Sequence, residues 1–522
     1  MREFIANNRR FWPAATAAAG RGRVLVEGLL AGAGPNYLVR TGLIARAVAA
    51  ELSLEPAVVF SETSLYWQSA IELYRSFGID NFINERSCAP SVSERLQEAR
   101  EASRAFRGLK SPDDLLSLSY KGVRYGDLAY DTIIHDAPGT PTIDNLSLRE
   151  FFYVLQAHDL INTYDALLGR HDVRFYVATH SQYLTWGLLV RCCLARGIPV
   201  VETTDLQLWL YEPADGRSPK FHDCLRRRLQ LLMAQSNPEE AIGEADRLLA
   251  ARFAGAVDQS DVKLAYAAKR TYDESELRTA LAIDNDWPIA FIFAHIFSDA
   301  PQGLSDGMLF RDYYSWLDQT LRAVAAIPGV NWVVKPHPAN TIYKEEGLVD
   351  RIVEQRGRGL FVCPADFSPA SVPGIARAIV TAQGTAGLEF GCFGVPAILA
   401  GRPFYAGFGF TIEPRSVEEY VATLRRVPES SGLSRAQQVT AKQVFAAFMR
   451  LQQADTTVID ADILHAVWGG NGVPGSPERA YELLSAKLGG ADLRESQLYL
   501  RTRELMRDFR RESRHAAVTS GA

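Results

Sequence analysis

The side chains most suited to chemistry in this sequence stand in the run Lys335-Pro336-His337-Pro338. The run follows residues 331–334, which have the apolar composition of a buried strand. The two prolines restrict the backbone beside the histidine, so Lys335 and His337 are presented in a stiff loop. An ammonium and an imidazole can both donate hydrogen bonds to an anion and stabilise a departing phosphate. The alternative is a turn in which the histidine only caps the chain.

A second candidate anion site lies in residues 381–389, TAQGTAGLE, which follow a short apolar run and open a predicted helix. Free backbone N–H groups at a helix start attract anions, Gly384 allows close approach, and Thr385 adds a hydroxyl. Glu389 stands one turn beyond Thr385 on the same helix face, where its carboxylate can accept the hydroxyls of a ribose. A capped helix with a solvated glutamate explains this segment when it is taken alone. Together with the Lys-Pro-His-Pro loop, it indicates a nucleotide site.

Ser298 and Asp299 follow the first apolar run of the same region. A carboxylate at the end of that predicted strand points toward an interdomain cleft. It can act there as a nucleophile, as a base or as an acceptor for a sugar hydroxyl. The alternative is that one of the two residues caps the next turn.

The elements that must position these residues alternate between short apolar runs and helical periods, which is typical of parallel α/β sheets. One strand–turn–helix–strand unit spans about residues 24–60, and a second α/β series begins at residue 288. We expect an α/β protein with two facing Rossmann-like domains and a helical tail, its chemistry at the carboxyl ends of the strands. The predicted units are a first domain with a helical connector (1–270), a second domain that contains the predicted nucleotide site (271–425) and a helical C-terminal tail (426–522).

The first predicted domain contains a glycine-rich turn and several polar residues near strand ends. Gly32 and Gly34 match the start of a dinucleotide fingerprint, but Tyr37 holds its third glycine position and no acidic residue closes the second strand, which argues against a nicotinamide site. Two interpretations of this turn remain: it lets a ligand approach the backbone, or it is a plain strand-to-helix turn. The candidates on this acceptor side are Gly34, Asn36, His135, Asp136 and His180.

Composition excludes several classes of protein. Lys and Arg total 56 against 61 for Asp and Glu, so a formal charge of −5 gives no general attraction for nucleic acid. The six cysteines form no C-x-x-C pair and the histidines lack metal-site spacing, so neither a disulfide framework nor a bound metal is expected. No apolar run of 18 residues exists, which predicts a cytoplasmic protein. The arginine-bearing last helix also contains interleaved acidic residues, which favours a solvated or domain-clasping helix over one that docks on the inner face of the membrane.

The segments SDAPQG, NWVVKPHP, GTAGLEFGCFGVPAIL and GRPFYAGFGFT together resemble the bacterial capsule polysaccharide biosynthesis family, which includes Kdo-transferring glycosyltransferases. The resemblance is densest over residues 288–411. It implies the GT-B arrangement of two facing Rossmann-like domains. It also implies transfer of a sugar from a nucleotide donor, with CMP-Kdo as a candidate, to a glycan or glycolipid acceptor. The nucleotide sugar is a substrate, and no cofactor is expected.

The resemblance also implies roles for individual residues. Lys335 and His337 would hold the donor phosphate, and Asp299 would be the nucleophile, as in the anomer-retaining members. An inverting enzyme would instead use a first-domain base, with His135, Asp136 and His180 left open. The remaining donor-side candidates are Ser298, Gln383 (where many relatives have a serine), Gly384, Thr385 and Glu389. A sugar-nucleotide 2-epimerase, a glycerophosphate-type transferase and a non-catalytic glycan-binding subunit are the alternatives.

Overall fold

The computed structural model describes most of the chain. Two six-stranded sheets and about twenty helices make up the fold. The described residues are 2–12, 22–29, 35–61, 67–137, 139–203, 208–212, 215–256, 265–266, 269–357, 359–452, 458–459, 461–470 and 473–520.

The first sheet has the strand order β3-β2-β1-β6-β7-β8. Its strands are parallel except for β8, which pairs with β7 in the antiparallel sense. Apolar residues are buried on both faces of the central strands, which accounts for their continuous apolar runs. The strands are β1 (Arg23–Glu27), β2 (Glu55–Phe60), β3 (Asn81–Asn84), β6 (Val173–Ala178), β7 (Val200–Thr203) and β8 (Leu208–Tyr211), with a small hairpin of β4 (Ser119–Tyr120) and β5 (Val123–Arg124) beside the sheet.

The second sheet repeats this topology with the order β11-β10-β9-β12-β13-β14, and all its pairs are parallel. The strand order reverses between β9 and β12, and in open α/β sheets ligands bind in the crevice outside such a reversal. The predicted class, α/β with two Rossmann-like domains, is therefore confirmed. The strands are β9 (Ile289–Phe293), β10 (Asn331–Lys335), β11 (Leu360–Val362), β12 (Ala376–Thr381), β13 (Ala397–Leu399) and β14 (Thr411–Ile412); a hairpin of β15 (Gly469–Gly470) and β16 (Val473–Pro474) lies in the tail.

Helices cover both sheets and form the connector and the tail. The helices up to the connector are Arg2–Asn8, Pro35–Leu52, Trp67–Ser76, Val92–Arg107, Pro112–Leu115, Gly126–His135, Leu148–Arg170 and Leu188–Ala195, the last preceded by a π-helical turn at Tyr183–Gly187. The connector contributes Phe221–Gln235, Pro238–Phe253 and Glu274–Ala280. The second domain and the tail contain Tyr313–Val324, Leu348–Arg356, Val372–Ile375, Ala386–Gly391, Val417–Leu424, Arg435–Gln452, Ala461–Trp468, Pro477–Leu488 and Gln497–Ser520.

The last helix packs on the first domain, although the chain reaches it only after completing the second sheet. The side chains of Arg503 and Arg507 both donate to the Glu51 carboxylate near the end of helix Pro35–Leu52. Arg510 donates to the Glu51 carbonyl at 3.1 Å. These contacts favour the domain-clasping interpretation of the arginine-bearing helix. The predicted domain limits at residues 270 and 425 remain predictions.

The described helices include none with the length and apolarity needed to cross a lipid bilayer.

Candidate functional site

A cavity of about 130 Å³ opens at the carboxyl edge of the second sheet, beside the reversal of strand order. Three strand ends supply most of its lining, as expected for residues that follow parallel strands directly. The connector supplies the rest. Its lining includes Phe293, Ala294 and His295 after β9, Lys335 to Pro338 after β10, Thr381, Gly384, Thr385, Ala386, Glu389 and Phe390 after β12, and Arg252 and Tyr266 from the connector.

Lys335 is the last residue of β10 and is only 9% exposed. Its Nζ lies 5.9 Å from the centre of the Phe367 ring. In the part of the chain that the structure describes, the ammonium forms no ion pair and no side-chain hydrogen bond. Burial lowers the pKa of Lys335, since the charged form loses its hydration. Burying a charged ammonium without an ionic partner costs free energy unless a bound anion compensates the charge.

His337 lines the same cavity, two residues further along the loop. Its Nδ1 accepts a hydrogen bond from the Ala339 backbone N–H at 3.2 Å. When the ring is neutral, its proton is therefore on Nε2, which is a hydrogen-bond donor. Pro336 and Pro338 line the cavity on either side, in agreement with a stiff loop.

The start of helix Ala386–Gly391 also reaches the cavity, with Gly384 and Thr385 in its lining. The helix has only six residues, so its dipole is small. The Gly384 N–H donates to Thr381 Oγ1 at 3.3 Å, and the Tyr405 hydroxyl donates to the Gly384 carbonyl. A Cβ at Gly387 would lie 2.4 Å from that hydroxyl, so this position requires glycine. The helix start shapes the cavity, and the cationic loop provides its attraction for anions.

Glu389 lies at the cavity with both carboxylate oxygens bonded. Arg252 donates to Oε1 from Nε at 3.0 Å and from Nη2 at 2.9 Å, and the Tyr266 hydroxyl donates to Oε2 at 2.7 Å. All three side chains are buried. The predicted ribose contact would have to share these oxygens. Sequence reasoning missed Arg252 and Tyr266, because both lie in the helical connector and its charges have the pattern of a solvated surface.

His295, also missed as a site residue, forms the floor of the cavity between β9 and β12. Its ring stacks on Tyr313 with centres 4.2 Å apart, and its Nε2 accepts the Gln383 N–H at 3.2 Å. Burial, and next the neighbouring His337, lower the pKa of His295 to about 3. The ring is therefore neutral at physiological pH and adds no charge to the cavity. Its position directly after a strand was the signal available in the sequence.

Two predicted donor-binding residues, Ser298 and Gln383, lie outside the lining of the cavity. Ser298 donates from Oγ to Glu345 Oε1 at 2.8 Å, which fixes the loop after β9. The Gln383 amide lies against His222 at 3.1 Å and accepts from Ser305 Oγ at 2.6 Å.

Asp299 is exposed at the tip of the same loop, with Oδ1 3.5 Å from the Tyr183 hydroxyl of the first domain. The structure thus brings His337 and Thr385 to one cavity, whereas Asp299 lies outside its lining and faces Tyr183 of the first domain. Its role as nucleophile remains a prediction.

The acceptor-side candidates lie at the other sheet. Gly34 falls outside the described residues, and Asn36 is fully buried near the start of helix Pro35–Leu52. The His180 ring packs between Tyr37 and Trp186, and burial lowers its pKa to about 4.

His135 and Asp136 are exposed at the end of helix Gly126–His135. The His135 ring lies 4.5 Å from that of Tyr183, and Asp136 accepts from the Tyr153 hydroxyl at 3.0 Å. Of these candidates, His135 is the one shown next to the loop that holds Asp299.

No group of three or more His, Cys, Asp or Glu side chains in the described ranges is arranged to hold a metal ion.

Comparison with known proteins gives structural neighbours only. No family model matches the chain, and neither does any curated protein sequence. A beta Kdo 2,4 transferase, KpsC of Thermosulfurimonas dismutans, is 16% identical over 52% of this chain and 79% of its own, with a TM-score of 0.35. The UDP-GlcNAc 2-epimerase of Neisseria meningitidis is 9% identical over 83% of this chain and 99% of its own, with a TM-score of 0.23. The N-terminal domain of Candida albicans trehalose-6-phosphate phosphatase is 11% identical over 92% of this chain and 99% of its own, with a TM-score of 0.27.

Proposed function

We propose that this protein is a glycosyltransferase that binds a nucleotide sugar in the cavity of the second domain and transfers the sugar to a surface-polysaccharide or glycolipid acceptor. The observation that supports it most is Lys335, a buried lysine that belongs to the lining of the cavity at a strand end. CMP-Kdo is one candidate donor, in keeping with the sequence resemblance.

The charges around the cavity favour a phosphate group. Glu389 neutralises Arg252, so Lys335 is the charge that a ligand would compensate. The Nε2 proton of His337 provides a second donor in the same loop. The walls near these groups include Phe293, Phe390 and Tyr266, whose apolar surfaces suit a nucleoside.

The proposed chemistry starts from this bound phosphate. The Asp299 carboxylate attacks the anomeric carbon, and the bond between that carbon and the phosphate oxygen breaks with its electron pair on the oxygen. Lys335 and His337 stabilise the resulting charge. The sugar would extend from the cavity toward the first domain, where Asp299 is exposed. An acceptor hydroxyl then attacks the same carbon and loses its proton to water, while the bond to Asp299 breaks with its electron pair on the carboxylate.

Replacing Lys335 with methionine is expected to weaken nucleotide binding about 10- to 100-fold, because a hydrogen bond to a charged group contributes about 1.5–3 kcal/mol. The measurement is isothermal titration with CMP, CDP, UDP, GDP and inorganic phosphate, preceded by a thermal-shift screen that includes His337→Ala. Lys487→Met is the control, because Lys487 pairs with Asp462 in the tail, outside the cavity lining. Equal affinities in wild type and Lys335→Met would contradict the proposal, as would failure of the wild type to bind any of these ligands.

Product analysis separates transfer from the other chemistries of this fold. After incubation with the nucleotide sugar that binds and an acceptor glycan, NMR should show a new glycosidic linkage and its anomeric configuration. An epimerised nucleotide sugar with no glycoside would instead identify an epimerase. Retention of configuration is expected if Asp299 is the nucleophile.

A further inference from the structure

The loop that holds Asp299, residues 295–306, is bound by the first domain at several places, and two of these contacts lie on either side of Ala300. It leaves β9 of the second sheet, and its own domain fixes it through Glu345 and Gln383. The first domain adds contacts from helix Gly126–His135 and from the π-helical turn Tyr183–Gly187.

The first of these contacts is made by Asp131, whose side chain is completely buried. Its Oδ1 accepts the Gln302 N–H at 3.1 Å, and its Oδ2 accepts the Gly303 N–H at 2.6 Å. A Cβ at Gly303 would lie 3.0 Å from Asp131 Oδ2, so the approach needs glycine. A buried carboxyl group whose two oxygens are both used on backbone donors of another domain fixes the position of those donors.

The second contact is made by Tyr183, whose backbone has φ of +61°. This left-handed conformation costs a bulky residue about 1–3 kcal/mol and is found mostly where function requires it. Tyr183 also begins a π-helical turn, another feature concentrated at functional sites. Its hydroxyl donates to the Ser298 carbonyl at 3.3 Å and lies 3.5 Å from Asp299 Oδ1.

We propose that Asp131 and Tyr183 are positioning residues that hold the Asp299 loop in its working geometry, so that the first domain controls a group on the second. This inference rests on the proposed function in one respect, the role given to Asp299. The two contacts bracket the loop: Tyr183 meets its tip, and Asp131 meets the turn that follows. Ala300, between them, also has a positive φ, of +45°, so the tip is a strained turn that needs outside support.

The test compares Asp131→Asn and Tyr183→Phe with wild type. We expect kcat for sugar transfer to fall at least ten-fold in each variant, while donor KM and the affinity for free nucleotide change less than two-fold. Hydrogen–deuterium exchange of the segment around Gln302 and Gly303 should be faster in Asp131→Asn. Should that variant fail to fold, Gly303→Ala perturbs the same contact from the other side.

Two matched controls isolate the loop. Asp114 accepts hydrogen bonds from two backbone N–H groups at 2.7 and 2.9 Å, but both donors belong to the first domain. The Tyr272 hydroxyl donates to Asp366 at 2.8 Å, and neither residue belongs to the loop. Asp114→Asn and Tyr272→Phe should leave kcat unchanged.

Unaltered kcat in Asp131→Asn and Tyr183→Phe would overturn the inference, as would equal loss of kcat in the controls. A wild type that binds nucleotide but transfers no sugar would refute the proposed function, whereas unchanged exchange in Asp131→Asn would refute the positioning role alone.

Discussion

Replacing Asp127 with alanine is expected to lower the free energy of unfolding by about 3–5 kcal/mol, because two buried cations lose their shared partner. Asp127 receives both Nη groups of Arg191, at 2.6 and 2.8 Å, and the Lys220 ammonium. All three side chains are at most 2% exposed. Burial alone would raise the pKa of the Asp127 carboxyl, but the Arg191 and Lys220 charges outweigh it and hold the pKa well below its ordinary value.

The measurement for this variant is the thermal midpoint of the transition that unfolds the first domain, which should fall by about 10 °C. Asp165→Ala is the matched control. Asp165 also pairs with two cations, Arg196 and Lys121, but it is 47% exposed, and exposed pairs contribute about 0–1 kcal/mol. If the thermal midpoint of Asp127→Ala decreases no more than that of the control, the buried cluster is not essential to the fold.

Mild acid is expected to destabilise the protein, because burial depresses the pKa of four histidines below the unfolded value of about 6.5. The folded pKa is about 4 for His158, His180 and His222 and about 3 for His295. A group with a depressed folded pKa contributes stability above its unfolded pKa and loses it as the pH falls. Between about pH 6.5 and 4.5 the unfolded chain therefore binds up to four protons that the folded chain lacks.

Two buried carboxyls oppose this trend. Burial raises the pKa of Asp131 to about 8 and that of Glu202 to about 7, so the folded chain retains two protons in the same window. For these six groups, the net difference of about two protons predicts that the free energy of unfolding falls by about 2.7 kcal/mol for each unit by which the pH decreases. Urea denaturation at several pH values between 4.5 and 7.5 measures this dependence. The free energies of all observed unfolding transitions are added at each pH. His158→Gln should reduce the slope by about half, and a flat profile would show that these histidines are not buried as neutral rings.

Features of the site that depend on local sequence could be predicted. The loop after β10 was found because an apolar strand, two prolines and two donors follow one another directly. Thr385 and Glu389 were placed on one helix face by spacing alone, and the Glu389 N–H does donate to the Thr385 carbonyl.

Features that depend on distant partners could not be predicted. Glu389 meets Arg252 and Tyr266 across 137 and 123 residues, and no sequence period records those pairings. Gln383 and His295 occupy equivalent positions two residues beyond β12 and β9, yet Gln383 contacts His222 and Ser305 whereas His295 lines the cavity. Their directions depend on the loops that follow the strands, which no strand period records. The direction of Asp299 depends on how Glu345 and the first domain hold its loop.

The most direct test of a phosphate-binding cavity is a crystal structure of the protein with the nucleotide that binds most tightly. The phosphate oxygens should lie within about 3 Å of Lys335 Nζ and His337 Nε2, with the nucleoside against Phe293, Phe390 or Tyr266. A nucleotide bound elsewhere, with Lys335 still without an anionic partner, would contradict the account.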